Sequence, residues 1–205
     1  MAVLSTPWVD RTIAIVASFP FAIELYRRYT TVGLSFPRAV LGLQFFVLVL
    51  TMVARRPPKR VTPNPWFWLL AFVATYGALA IAAYAPPGRS LVPWWVSNSI
   101  AVLSVTISIW ARVNLGRNIG FVPAQRQIVS SGVYGFVRHP IYTGLFLSLF
   151  GFILRAYSAA NVLAAATVIA LFMIKSVVEE RFLSQDPEYA EYLARVRWRW
   201  LPGVA

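Results

Sequence analysis

The chain contains no cysteine, a single histidine and seven acidic residues among its 205. Without cysteine there is no disulfide, no thiolate nucleophile and no cysteine-based metal site. One histidine and seven carboxylates are also too few for a multi-ligand transition-metal centre, so no metal is expected. Charge of either sign is scarce: 13% of residues are charged, against about 25% in soluble domains. In its place 59% of residues are hydrophobic, which implies an integral membrane protein. The remaining charge is one-sided, with nineteen Lys and Arg and a net charge of +12. Such a surplus can mark nucleic-acid binding. In a polytopic membrane protein it marks loops facing anionic lipid, so membrane lipids rather than nucleic acid are the expected partners. No cleavable leader is expected, because Asp10 and Arg11 precede the first apolar run and no small-residue cleavage pattern ends it.

Crossing a bilayer takes about 20 apolar residues in a helix. Candidate spans lie at 12–26, 36–54, 66–84, 93–111, 141–154 and 162–174, the last extendable to 178. The first holds Pro20 and ends near Glu24, so a kinked or partly interfacial helix is expected there. The fifth has a core of roughly 21 Å against a hydrocarbon layer of roughly 30 Å. With Tyr157 to Asn161 between them, the last two read as a helical hairpin. The expected fold is all-α: a polytopic bundle of five to six transmembrane helices forming one domain over 1–205, with no strand and no internal repeat. Within it, 1–111 supplies N-terminal spans and 112–205 carries the polar motifs. Placing the segment 112–138 and the C-terminus inside puts fourteen of the nineteen basic residues there, leaving Arg27, Arg28, Arg38, Arg89 and Arg155 outside. The expected location is the cell's inner (cytoplasmic) membrane, multi-pass, with both ends and the polar segment cytoplasmic. Trp66, Trp68, Trp94 and Trp95 fall at helix ends, as interfacial anchors do.

The densest concentration of special residues is Gly132-Val133-Tyr134-Gly135-Phe136-Val137-Arg138-His139-Pro140-Ile141-Tyr142-Thr143-Gly144. Pro140 suits the first turn of a helix and disfavours helical geometry at His139, which should therefore stand just outside the helix start. The imidazole would then lie beside unpaired amides at the positive helix end, a place for carboxylates and phosphates. Gly144 shares the Pro140 face and leaves room for a ligand or another helix. Tyr142 offers a ring and a hydroxyl, and Gly132 and Gly135 permit a turn. The alternative is a basic juxtamembrane helix start with histidine among headgroups.

A second feature, Lys175-Ser176-Val177-Val178-Glu179-Glu180, places adjacent carboxylates at the end of the last span. Ionisable groups at membrane depth are functional candidates, and a helix C-terminus disfavours anions. Glu179 has Lys175 one turn back, whereas Glu180 has no base at i−3 or i−4, so Glu180 is the favoured ligand carboxylate. Next, Asp186 and Pro187 open a helix that puts Tyr189, Tyr192, Leu193 and Val196 on one side. It reads as an amphipathic interfacial helix finished by Trp198, Trp200 and Leu201. Arg199 is expected on lipid phosphates. Arg195 or Arg197 either joins it there or turns inward to a substrate anion.

The segments Arg112-Val113-Asn114-Leu115-Gly116-Arg117, Ile128 to Tyr134 and Arg138 to Gly144, followed by Glu179-Glu180, Tyr189, Tyr192 and Pro202, keep a fairly specific order and spacing. Over roughly 112–202 they resemble the membrane methyltransferases that include isoprenylcysteine carboxyl methyltransferases and phospholipid N-methyltransferases. Val133 stands where that family usually has proline. The resemblance implies S-adenosylmethionine as cofactor, held by the Arg-His-Pro segment and the glutamate pair, and a lipid-like acceptor drawn from the bilayer. It gives a candidate cofactor set of Val129, Gly132, Tyr134, Arg138, His139, Pro140, Tyr142, Gly144, Glu179 and Glu180. Within that set Glu180 would take the ammonium, His139 and the helix start the carboxylate, and Tyr134 and Tyr142 the adenine. Tyr192, Arg195 and Arg197 form the candidate catalytic set. The alternatives are a sterol-reductase-type enzyme using NADPH, with Arg117, Arg126 and Arg138 near its 2′-phosphate, and a non-enzymatic scaffold or transporter.

Overall fold

The computed structural model describes residues 6–33, 35–56 and 58–204; within the first two helices some side chains, those of Asp10, Glu24 and Arg28 among them, also lie outside the described set. The described chain is mostly helical. Its helices are α1 (Pro7–Val32), α2 (Phe36–Ala54), α3 (Pro65–Tyr84), α4 (Trp94–Leu115), α5 (Pro140–Arg155), α6 (Ala159–Leu183) and α7 (Pro187–Arg195). Proline opens α1, α3, α5 and α7, where a missing amide costs the helix nothing. The side chains of Asn64, Ser158 and Asp186 cap α3, α6 and α7 by accepting an amide two or three residues on. By length and composition, α3, α4 with its short extension to Asn118, and α6 can each cross a membrane, while α2 and α5 are shorter apolar helices.

Two expectations need correction. The first helix continues through Pro20 and extends well beyond 12–26 in both directions. Two short strands are also present, β1 (Arg60–Val61) paired antiparallel with β2 (Ala124–Gln125). They form because two polar loops meet at one end of the bundle and their amides need partners. A pair of two-residue strands has no periodicity that a sequence could reveal.

The loops sort the bundle into two ends. At one, Lys59 donates its amide to Gln125, Arg56 to Arg117, and the Gln125 side chain meets Asp186. At the other, Leu91 donates to Leu154, Arg89 exchanges backbone bonds with Tyr157, and Asn161 Nδ2 reaches the Pro86 carbonyl at 3.0 Å. The His-Pro segment and the C-terminus therefore share the first, motif end. Small residues set the helix contacts, as expected where no water drives association. A Cβ on Gly144 would lie 2.2 Å from Ser108 Oγ and 2.9 Å from the Ser104 carbonyl, and one on Gly151 would lie 2.8 Å from Ile100. The α4–α5 contact is thus too close for any larger residue at these two positions. Between α3 and α6 the fully buried Ala74 and Ala165 do the same. Outward-facing Phe46, Leu69, Leu103 and Leu163 are all exposed, an apolar skin suited to lipid rather than water.

Candidate active site

His139 is the N-cap residue of α5, just outside the helix, as proline at 140 requires. Its environment differs from the expected one. The amides of Tyr142 and Thr143 turn back onto the His139 carbonyl, and the imidazole points at Glu180, with Nε2 at 3.0 Å from Oε1. Glu180 is buried and is the centre of an ion cluster. Arg199 clasps it in fork geometry, Nη2 at 2.9 Å and Nε at 3.1 Å from both oxygens, and Arg138 Nη1 adds a contact at 3.3 Å. Arg138 also donates to the carbonyls of Val196 at 2.6 Å and Leu193 at 3.0 Å. Glu180 and Arg138 are therefore committed to the protein itself.

Arg199 is the first correction in this region. It does not face lipid phosphate; the chain after α7 folds back over the motif, where Arg138 and His139 donate their amides to the Trp198 and Arg199 carbonyls. Trp200 follows it inward, with Nε1 at 3.2 Å from Ser176 Oγ and its ring against Phe146. A buried anion and a buried hydroxyl offer these side chains more than the headgroup region does. Leu201 stays exposed, as an interfacial residue would.

A second cluster lies beside the first. Lys175 Nζ reaches Glu179 Oε1 at 2.8 Å and the Tyr142 hydroxyl at 2.5 Å, and that hydroxyl donates to Glu179 Oε2 at 2.6 Å. One face of the Tyr142 ring stacks on His139 with ring centres 5.1 Å apart, and Phe172 meets it at 5.0 Å in edge geometry. Tyr142 is thus a packing centre rather than a free platform for adenine. Tyr192 donates to the Tyr134 carbonyl at 2.9 Å, which locks the 3₁₀ turn Gly132–Gly135 against α7. Burial pushes the hydroxyls of Tyr134, Tyr189 and Tyr192 well above the ordinary tyrosine range, so all three remain neutral donors.

A cavity of about 700 Å³ opens from these clusters and runs between α2, α3, α4 and α5 to Pro86, Gly88 and Arg155 at the opposite end. Of the expected cofactor residues, Val129, Tyr134, Arg138, His139, Tyr142 and Glu179 line it, whereas Gly132, Pro140, Gly144 and Glu180 do not. Gly144 belongs to the α4 contact. Gly132 has φ +60° and would drive a Cβ into the Asn114 amide, so its part is the turn. Of the two glutamates, helical rotation turns Glu179, held by Lys175 and Tyr142, to the cavity and Glu180, the favoured ligand carboxylate, to the ion cluster. Of the expected catalytic residues Tyr192 lines the cavity. Arg195 and Arg197 are exposed instead, Arg197 lying over the Trp198 ring. The inward turn expected of one of them does not occur. Arg117 and Arg126 each donate Nε to a backbone carbonyl, those of Ala54 and Arg56.

Sequence reasoning missed Arg112. It lines the cavity from the last turn of α4, with Nη1 at 3.1 Å from Thr51 Oγ1. The signal was present, a basic residue within the end of an apolar span, but it entered only as a loop charge and as the first residue of a motif, with no site role. Among the described residues no group of His, Asp and Glu is arranged to hold a metal ion.

Bundle and site together define a helical membrane protein with a polar cluster at the mouth of a cavity between its spans. Residues 92–186 match the family model of phospholipid methyltransferase. The chain is also 28% identical over 114 residues to protein-S-isoprenylcysteine O-methyltransferase B of Arabidopsis thaliana, covering 50% of this chain and 58% of that relative. It therefore spans little more than half the length of the curated relative it matches. Both findings support the family that the motifs resemble, the membrane methyltransferases of the isoprenylcysteine and phospholipid kinds.

Proposed function

We propose that the chain is an S-adenosylmethionine-dependent methyltransferase acting on a lipid-like acceptor that enters its cavity from the bilayer. The observation that carries this reading is the single cavity shared by the motif residues and the apolar helix faces. Its motif end presents Glu179, His139 and tyrosines; its remaining length runs between four apolar helices.

The donor set fits the cofactor. Glu179 and Asp186 supply acids for an ammonium, Tyr134, Tyr189 and Tyr192 supply an aromatic wall, and the volume lies within the roughly 300–1,000 Å³ of small-molecule sites. When bound, S-adenosylmethionine brings a methyl group already activated by its sulfonium. The protein's share is then positioning and exclusion of water. Glu179 faces the cavity with its oxygens oriented by Lys175 and Tyr142. The Glu180 cluster fixes His139 and the start of α5, so that the cavity wall keeps its shape. Tyr192 and Tyr189 close the motif end from α7. On this reading the motif end faces the cytoplasm, in line with the excess of basic residues there.

Calorimetric titration of S-adenosylhomocysteine into the protein in non-ionic detergent tests the reading. Saturable binding with one site per chain is expected; absence of binding by a folded sample sinks it.

A further inference from the structure

Among cations lining the motif half of the cavity, Lys175 is paired with Glu179, Arg138 with Glu180, and Arg126 is tied by Nε to the Arg56 carbonyl. Arg112 differs. Its guanidinium donates to the neutral Thr51 hydroxyl, and among the described residues no carboxylate lies within ion-pair reach. It stands in the last turn of the apolar helix α4, where the tyrosine-lined end of the cavity gives way to Leu48, Met52, Ile109 and Leu145. A guanidinium facing a largely apolar cavity is costly unless an anion meets it, and such residues mark ligand paths.

We infer that Arg112 holds the anionic group of the methyl acceptor, an assignment that rests on the reading above. The groups offered to the cofactor come from residues 129–142 and from α6 and α7, whereas Arg112 comes from α4 and borders the apolar stretch. What it meets is therefore the head of whatever fills that stretch. From Arg112 to Asn98, which also lines the cavity, α4 rises roughly 21 Å, most of the roughly 30 Å hydrocarbon layer. The acceptor class is thus a single-chain amphiphile with a carboxylate or phosphate head at Arg112 and its chain directed toward the opposite end. Arg195 and Arg197, exposed outside the cavity, take no part in holding that head.

The test compares binding of hexadecanoate, hexadecyl phosphate and hexadecanol to the protein in non-ionic detergent, read by tryptophan fluorescence. The wild type binds the two anions about tenfold or more tightly than the alcohol, as a charge-assisted hydrogen bond allows. Arg112→Met removes that preference and keeps S-adenosylhomocysteine binding. Arg112→Lys, which keeps the charge, retains a preference and guards against a variant that fails to fold. Equal binding of anion and alcohol by the wild type overturns the assignment. So does an Arg112→Met protein that keeps the anion preference, or one that loses cofactor affinity instead. Anion preference in a wild type that binds no S-adenosylhomocysteine supports the anion site and removes the methyl-transfer reading alone.

Discussion

Replacing Glu180 with alanine should destabilise the protein more than any other single change at the motif end. Glu180 is 7% exposed and meets Arg138, His139 and Arg199, whose side chains are 14%, 10% and 23% exposed. Alanine would leave two guanidinium groups and an imidazole poorly hydrated and without their anion. Breaking a buried pair by removing one partner costs about 3–5 kcal/mol. At about 2–4 °C per kcal/mol for a chain of this size, the melting temperature should fall by roughly 6–20 °C. The loss should be local first, because Arg199 and Arg138 join the C-terminal segment to the start of α5 and the end of α6. The assay is thermal unfolding in detergent followed by tryptophan fluorescence, since Trp198 and Trp200 lie in that segment. Glu180→Gln, which keeps acceptor geometry for one guanidinium, should fall between the two. An alanine variant melting within about 2 °C of wild type would refute the view that this cluster holds the site together.

Glu179→Gln keeps an acceptor for Lys175 and Tyr142 but not the charge. It should weaken S-adenosylhomocysteine binding about tenfold or more in calorimetry, with a smaller loss of melting temperature than Glu180→Ala. Gly144→Leu should force α4 and α5 apart, because even a Cβ would meet Ser108 and the Ser104 carbonyl. A cost of about 1–3 kcal/mol is expected, read as a lower melting temperature. Arg195→Ala and Arg197→Ala should each leave cofactor affinity within about a factor of two, since exposed residues away from such contacts change energies by about 0.5 kcal/mol; a tenfold loss in either would return that arginine to the site.

Much of the fold could be read from the chain because long apolar runs bounded by proline and polar caps leave few options. Span 36–54 matches α2 end for end, and the Asp186-Pro187 helix start is where capping chemistry puts it. The helix at 140 begins at its proline for the same local reason. The site was less legible because its contacts are not local. Nothing within one helical turn of Glu180 announces Arg199, nineteen residues on, or His139, forty-one residues back. Helical spacing showed that Glu179 and Glu180 face different ways, but which faced the cavity depended on where the C-terminal segment folded. Trp200 and Arg199 read as interfacial by composition, and only the buried carboxylate and the Ser176 hydroxyl drew them inward. Arg112 was missed for a related reason: a basic residue near a helix end serves equally as a lipid anchor or a cavity wall until its neighbours are known.

The central claim concerns group transfer within a membrane cavity. Its most direct test is incubation of membranes containing the protein with S-adenosylmethionine tritiated in the methyl group, followed by extraction into organic solvent. The account predicts protein-dependent label in the lipid phase, lost in the Glu179→Gln variant. Label that stays in the aqueous phase, from membranes whose protein binds S-adenosylhomocysteine and which hold abundant single-chain anionic lipid, would contradict it.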